Sequence, residues 1–286
     1  MLIIIGSIVG LGCVLGGYMA MGGKLSVLYQ PFELVIIGGA GVGAFIVSNP
    51  KPVLKAALNG FKIAFKGPRY TKDDYLELLS MMYSVFKLAK SKGMLALEQH
   101  IEKPEESKLF TQFPKFMADH HSMEFLCDYL RLMTLGSENP HEMEALMDME
   151  LEIHHAEDHL AGQALTNFGD AFPALGIVAA VLGVIKTMGS ISEPPEVLGR
   201  LIGGALVGTF LGILLSYGIV SPIAAAAKAT MEHDQKYMLC MKAGLLAHLQ
   251  GYAPAVSVEF ARKSLMSNVR PTFYEVEEAT SKVQSV

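Results

Sequence analysis

The chain of 286 residues has no tryptophan and only three cysteines. Cys13, Cys127 and Cys240 stand far apart with no CxxC spacing, so neither a disulfide framework nor a zinc site is encoded, and a reducing interior suits them. No stretch alternates apolar and polar residues with the period of two that a half-buried strand needs. There is no P-loop, no G-x-S-x-G and no Cys/His pair in a nucleophile–base pattern, so the common enzyme signatures are missing and no enzyme is expected. A basic excess is lacking too: the net charge of -5 gives no footprint for nucleic acid. Internal repeats of solenoid period and low-complexity linkers are also absent.

What the chain has is apolar length. Hydrophobic residues make up 51% of it and are gathered in runs, which points to a membrane protein. The first run, about 2–21, ends in Gly22, Gly23 and Lys24; it is longer than a signal-peptide core and lacks a basic start, so it reads as a retained span. A second span covers about 32–48. Its GGAGVG run follows no strand, which makes it a helix-packing surface rather than a nucleotide loop. Residues 169–223 form a second hairpin, with spans at about 171–189 and 198–221 separated by SISEPPEV, whose adjacent prolines continue neither helix. Gly204, Gly208 and Gly212 recur every fourth residue beside Ala205 and Thr209, opposite Ala179 and Gly183; small residues at that spacing let helices approach closely in lipid. Gly6, Gly10, Gly12 and Gly16 suggest the same for the first span.

Two prolines mark one end of this hairpin. Pro173 cannot donate to the Gly169 carbonyl, nor Pro222 to that of Gly218, so two weakened turns fall at one membrane level. Such turns either kink and terminate helices or act as hinges. The cores of the spans hold no Asp or Glu: Asp170 and Glu33 sit at opposite boundaries, and Lys186 is near enough to the outer one to snorkel. Ion transport needs an ionisable group at depth. Either these helices are structural, or a partner chain brings the acid.

Residues 49–168 carry thirteen of the twenty-three Lys and Arg residues. Lys51, Lys55, Lys62, Lys66 and Arg69 follow the second span and Lys228 the fourth, whereas the hairpin loops hold little beyond Lys24 and Arg200. The positive-inside rule then places this segment and both termini in the cytoplasm. The chain divides into a transmembrane hairpin (1–48), a cytoplasmic helical domain (49–168), a second hairpin (169–223) and a helical tail (224–286). Its fold class is an all-α polytopic membrane protein with four transmembrane helices and a large helical cytoplasmic domain. In the cytoplasmic domain, Tyr75, Leu78, Leu79, Met82, Val85, Phe86 and Ala89 form one helix face, started by Thr71 with Asp74 three residues on and stopped at Gly93. Another helix spans about 122–135. A third begins at Asn139–Pro140, with Met143, Leu146, Met147, Ile153, Leu160, Ala164 and Phe168 on its apolar face, and meets no strong breaker before Pro173, so it can join the third span as one rod. Helices are expected at 224–249, at 254–266 and after Thr272, which has capping-box spacing with Glu275. Glu152-x-x-His155, with His154 and His159, shares a helix face, but a metal there would need carboxylates from other helices; a solvated face is the better reading and no metal or cofactor is expected.

The segments PFELVIIGGAGVGAFIV, FPALGIVAAVLGVI, ALVGTFLGILLSYGIVSPIA and GYAPAVSVEFARKSL, in this order and four-span layout, resemble the MotA family of flagellar stator subunits over almost the whole chain. The wider family includes the ExbB and TolQ energisers, which differ in topology and lack this tail. The resemblance implies an inner-membrane, proton-driven motor complex with several copies, five by the family pattern, around two copies of a single-span MotB-like partner whose membrane aspartate carries the proton. It also implies coupling roles for Pro173 and Pro222, a channel-facing Thr209, and a charged pair, Lys90 and Glu98, that engages the rotor protein FliG. The family commonly has Arg at Lys90, and Lys keeps the charge without the planar fork. Sodium-type relatives carry threonine where this chain has Ala180, which offers no oxygen to a sodium ion, so protons are the expected cargo. The competing reading is an ExbB- or TolQ-type energiser of an envelope complex.

Overall fold

The computed structural model describes residues 2–137 and 139–283. Its elements begin with α1 (Leu2–Ala20), the short α2 (Leu25–Leu28), α3 (Pro31–Ser48) and α4 (Lys51–Lys66). They continue with α5 (Lys72–Lys92), the short α6 (Glu98–Glu102) and α7 (Pro114–Met117), and α8 (His120–Thr134). The 49-residue α9 (Pro140–Met188) follows, then α10 (Pro195–Leu215), a π-helical turn at Ser216–Val220, and α11 (Ser221–Asp234). The chain ends in α12 (Lys236–Leu249), α13 (Pro254–Lys263) and α14 (Phe273–Ser281). No strand occurs among the described residues, and four helical stretches are long and apolar enough to cross a membrane: Leu2–Ala20, Leu25–Ser48, Pro140–Met188 and Pro195–Leu249. The protein is thus an all-α polytopic membrane protein. As expected, the helix begun at Pro140 continues through Pro173 without a break.

By packing, the chain forms two units, residues 1–67 with 156–231 and residues 68–155 with 232–286. In the first, the spans meet through small residues. A methyl group on Gly176 of α9 would lie 2.8 Å from the Gly208 carbonyl oxygen and 3.0 Å from Gly212 Cα on α10. A methyl on Gly183 would lie 2.6 Å from Ala205 Cβ. Backbones this close gain dispersion contacts along their length, which must hold helices together where lipid is as apolar as leucine. α3 lies alongside, with Gly41 against Phe172 and Phe45 against Phe168 at 5.0 Å between ring centroids. The amphipathic α4, which the basic residues after the second span did not by themselves reveal, buries Ala57, Gly60 and Ala64 against Leu165 and Ala227. Gly6, Gly10, Gly12 and Gly16 have nothing within 4 Å in this chain, so the packing expected of the α1 glycines is not made here.

The second unit is built around α5. Its expected face, Tyr75 through Ala89, is buried among Leu126 and Leu130 of α8, Met241 and Leu245 of α12, and Val258 and Ala261 of α13. The Thr71–Asp74 and Thr272–Glu275 capping boxes are both formed, and Gly93 stops α5 at φ +86°. The apolar face expected of α9 is only partly used: Met143, Met147 and Ala164 are buried, while Leu146, Ile153 and Leu160 stay exposed. So long a helix outruns the partners this chain can pack against it.

One polar cluster is sealed inside this unit. Asp119, 3% exposed, accepts hydrogen bonds from the Tyr70 hydroxyl and from Ser122 Oγ (2.7 Å), with the Arg69 guanidinium 3.1 Å away. Tyr70 stacks on Tyr237 at 3.9 Å, and the Arg69 amide donates to Asp234 (2.8 Å). Burial alone would raise the Asp119 pKa; the bonds from Tyr70 and Ser122 and the charge of Arg69 outweigh it and hold the carboxyl below its ordinary 3.8.

A depressed native pKa stabilises the fold fully above the unfolded value and stops doing so as pH falls through the native one. Asp119→Asn should therefore destabilise the protein by about 1–3 kcal/mol at pH 7, with the difference from wild type vanishing below the ordinary aspartate range; denaturation midpoints across pH measure this. In the membrane unit, Gly176→Ala should lower thermal stability in detergent by about 1–3 kcal/mol through overpacking, whereas Gly43→Ala, with nothing within 4 Å, should not.

Candidate functional site

The two proline turns come together. Gly169, whose carbonyl Pro173 leaves without its donor, packs on the turn before Pro222: a methyl there would lie 2.8 Å from Ser221 Oγ and 3.4 Å from Val220 Cγ1. On the α10 side the helix does not simply lose a bond. It widens into the π-turn Ser216–Val220, in which the Ser221 amide donates to the Ser216 carbonyl five residues back. A missing proline N–H and a looser turn are recognised ways to bend a helix. Ser216 is fully buried, and its hydroxyl lies 3.5 Å from that of Ser221. The expected juxtaposition of weakened turns is present; the π-turn was not anticipated, although Gly218 and Pro222 flagged its position.

Further along the hairpin, Thr209 and Ala180 flank the contact between Gly208 and Ala179, where a methyl on Gly208 would come within 3.1 Å of both Ala179 Cβ and the Ala180 amide nitrogen. Both residues are partly exposed. Around them Ile177, Val178, Val181, Leu206 and Ile213 are exposed apolar side chains, a surface that only lipid or further helices can cover. Thr187, the other threonine of the spans, donates to its own helix at Gly183 O (2.9 Å) and is closed to ligands.

Glu33, in the first turn of α3, reaches its carboxylate to Gly183 and Gly208, with Oε2 buried and without a hydrogen bond from the described residues. The loop before α3 makes this possible: α2 and Gln30 also lie along α10, with the Gln30 amide over Gly204, so α3 begins below the end of the hairpin. The four-residue glycine spacing therefore serves two ends. Gly212 and Gly176 admit a helix, whereas Gly208 and part of Gly183 also admit Glu33 of α3, and Gly204 admits Gln30 just before it.

In the second unit Lys90 and Glu98 are both exposed, on either side of the Gly93 turn. Lys90, in the last turn of α5, points its ammonium at the Gly251 carbonyl (3.4 Å), the C-terminal end of α12, where unpaired carbonyls favour a cation. Gly251 holds φ +89°, which only glycine adopts readily. Glu98 opens the short α6 and, with Leu95, Ala96, Gln99 and Glu102, lines a shallow depression of about 430 Å³. Glu102 there is paired with Arg131 at 2.9 Å. In the Glu152 group, His155 hydrogen-bonds Gln235 (2.9 Å) and His154 lies 3.9 Å from Glu150.

His248, one turn before Gly251, stacks on Phe86 at 4.5 Å. Its pKa is pushed down to about 4, first by burial and then by the Lys90 charge. Lys90→Ala should accordingly raise it while leaving it below 6.5, because burial remains; an NMR titration of the histidine signals reads this directly.

Comparison with known proteins identifies the family of the chain. Residues 4–93 match the model of the motility protein A N-terminal region, and residues 117–239 that of the MotA/TolQ/ExbB proton channel family. The motility protein A of Salmonella typhimurium (strain LT2) and that of Escherichia coli (strain K12) are each 46% identical to the chain over 285 residues, covering 100% of it and 97% of the relative. Among solved structures, the flagellar MotAB stator complex from Bacillus subtilis matches with a TM-score of 0.71 at 27% identity, over 90% of this chain and 92% of that one. The C. jejuni MotAB structure, at 20% identity, shares the fold with a TM-score of 0.75 over 93% and 96% of the two chains. The chain therefore belongs to the motility protein A group of the MotA/TolQ/ExbB proton channel family.

Proposed function

We propose that the chain is the channel-forming stator subunit of a flagellar motor. With a single-span MotB-like partner it conducts protons across the inner membrane and turns the flux into torque on the rotor protein FliG. The observation that carries this reading is the hairpin itself: two weakened turns in contact at Gly169 and Ser221, continuous through Pro173 with a helix that runs back to Pro140, and no acid on the hairpin beside Thr209 and Ala180. The carrier then comes from the partner, in keeping with relatives solved as MotAB complexes.

The exposed small and apolar faces of α1, α9 and α10 fit a ring of subunits, five around two partners, with lipid outside. The basic excess after the second and fourth spans supports a topology with both termini and the helical unit in the cytoplasm. Ala180 offers no oxygen for sodium, so the cargo is the proton, and the chain makes and breaks no covalent bond in passing it. One charge crossing 100 mV yields only about 2.3 kcal/mol. Each step must therefore be small and nearly barrier-free, as sliding glycine and alanine surfaces allow. Neutralising the partner's carboxylate repacks this surface, the proline turns absorb the bend, and Lys90 and Glu98 present the motion to charged groups of the rotor.

Complementation of a paralysed strain tests this reading. The wild-type chain with its partner should restore swimming independently of sodium. Pro173→Ala should assemble but lose most torque and proton flux; unchanged values would remove the hinge. Glu98→Lys should impair rotation while membrane assembly and flux persist, and loss of assembly would make Glu98 a structural residue.

A further inference from the structure

Glu33 is held in a slot that two glycines open, Gly208 and Gly183. Its Oε2 lies so close to Gly208 of α10 that a methyl there would collide with it, and its Oε1 is 3.5 Å from where a methyl on Gly183 of α9 would stand. One turn earlier Gln30 Nε2 covers Gly204 at 3.1 Å by the same measure. Gly183 is five residues from the end of α9, about 8 Å along the helix, so the carboxylate sits among the packed helices of the hairpin, short of its loop.

The floor of the slot is the back of the channel-facing pair. Gly208 precedes Thr209, and the point occupied by its missing Cβ is 3.1 Å from the Ala180 amide. Of the other charged groups on the elements packed around Glu33, Lys186, Glu196 and Arg200 lie nearer the loop end of the hairpin, and Asp170 lies at the proline end. No donor from this chain reaches Oε2. Packing alone would be served better by leucine or glutamine, because a buried carboxyl oxygen without a partner is costly and an ionisable group at depth is functional by default.

We propose that Glu33 tunes the ion pathway electrostatically: its carboxylate, seated behind Thr209 and Ala180, supplies the negative field that draws the cation into the loop-side half of the passage. It acts through the potential at the channel-facing pair, and the missing side chains of Gly183 and Gly208 leave room for it. The inference rests on the channel reading above.

The test uses the full chain with its partner, measuring proton flux into vesicles against outer proton concentration. Glu33→Gln keeps the shape and removes the charge. It should lower flux roughly tenfold when protons are limiting, leave the saturated rate within twofold of wild type, and leave assembly intact; Glu33→Asp should recover most of the loss. Equal flux in wild type and Glu33→Gln at every concentration overturns the proposal, as does a loss of the same size at limiting and saturating concentration, or failure of Glu33→Gln to assemble. A wild-type complex without flux removes the channel reading and this inference with it, whereas a conducting wild type matched by Glu33→Gln removes the inference alone.

Discussion

The close approach of α9 and α10 is the contact from which the rest of the membrane unit follows. In lipid no hydrophobic force pushes helices together, so they associate only where backbones come near enough for dispersion to add up. Gly176 against Gly208 and Gly212, and Gly183 against Ala205, supply that nearness. Fixing two antiparallel helices at those points also fixes what is level with what. Gly169 meets Ser221, so the proline turns touch; Gly208 meets Ala179, so Thr209 and Ala180 share a level.

The same economy of side chains explains why the unit can be tight and still move. Interlocked large side chains must clear one another at every step, while glycine and alanine present shallow relief. Regular helical bonding is relaxed at Pro173, within an unbroken helix, and at the π-turn ahead of Pro222. The second unit is built on the opposite plan, a core of large side chains around α5 with a sealed Asp119 cluster, suited to holding shape under load. Lys90 belongs to that rigid part, steadied by the end of α12, so a force on its ammonium passes into packed helices.

Much of this was legible in the residues. Long apolar runs and the paired prolines gave the spans and the weakened turns, and the Thr71–Asp74 and Thr272–Glu275 spacings gave two helix starts, because each depends on local chemistry alone. The resemblance of long segments, not any local pattern, singled out Lys90 and Glu98: two exposed charges look like any solvated pair. What sequence could not show is tertiary in origin. That the Glu33 carboxylate rests against Gly183 and Gly208 depends on α2 and Gln30 lying on α10, which the residues of α3 do not encode by themselves. The Gly251 carbonyl beside Lys90 likewise comes from 161 residues away. The α1 glycines and the exposed face of α9 await neighbours that a single chain does not contain.

The proposed division of labour gives this chain the smooth wall of a passage and gives another polypeptide the group that takes up and releases the proton. Reconstitution of the purified chain in liposomes with and without a single-span partner measures that most directly. The expected result is no proton leak above empty liposomes for the chain alone and a sustained leak once the partner is present. A brisk, selective proton current through liposomes that contain only this chain would contradict it.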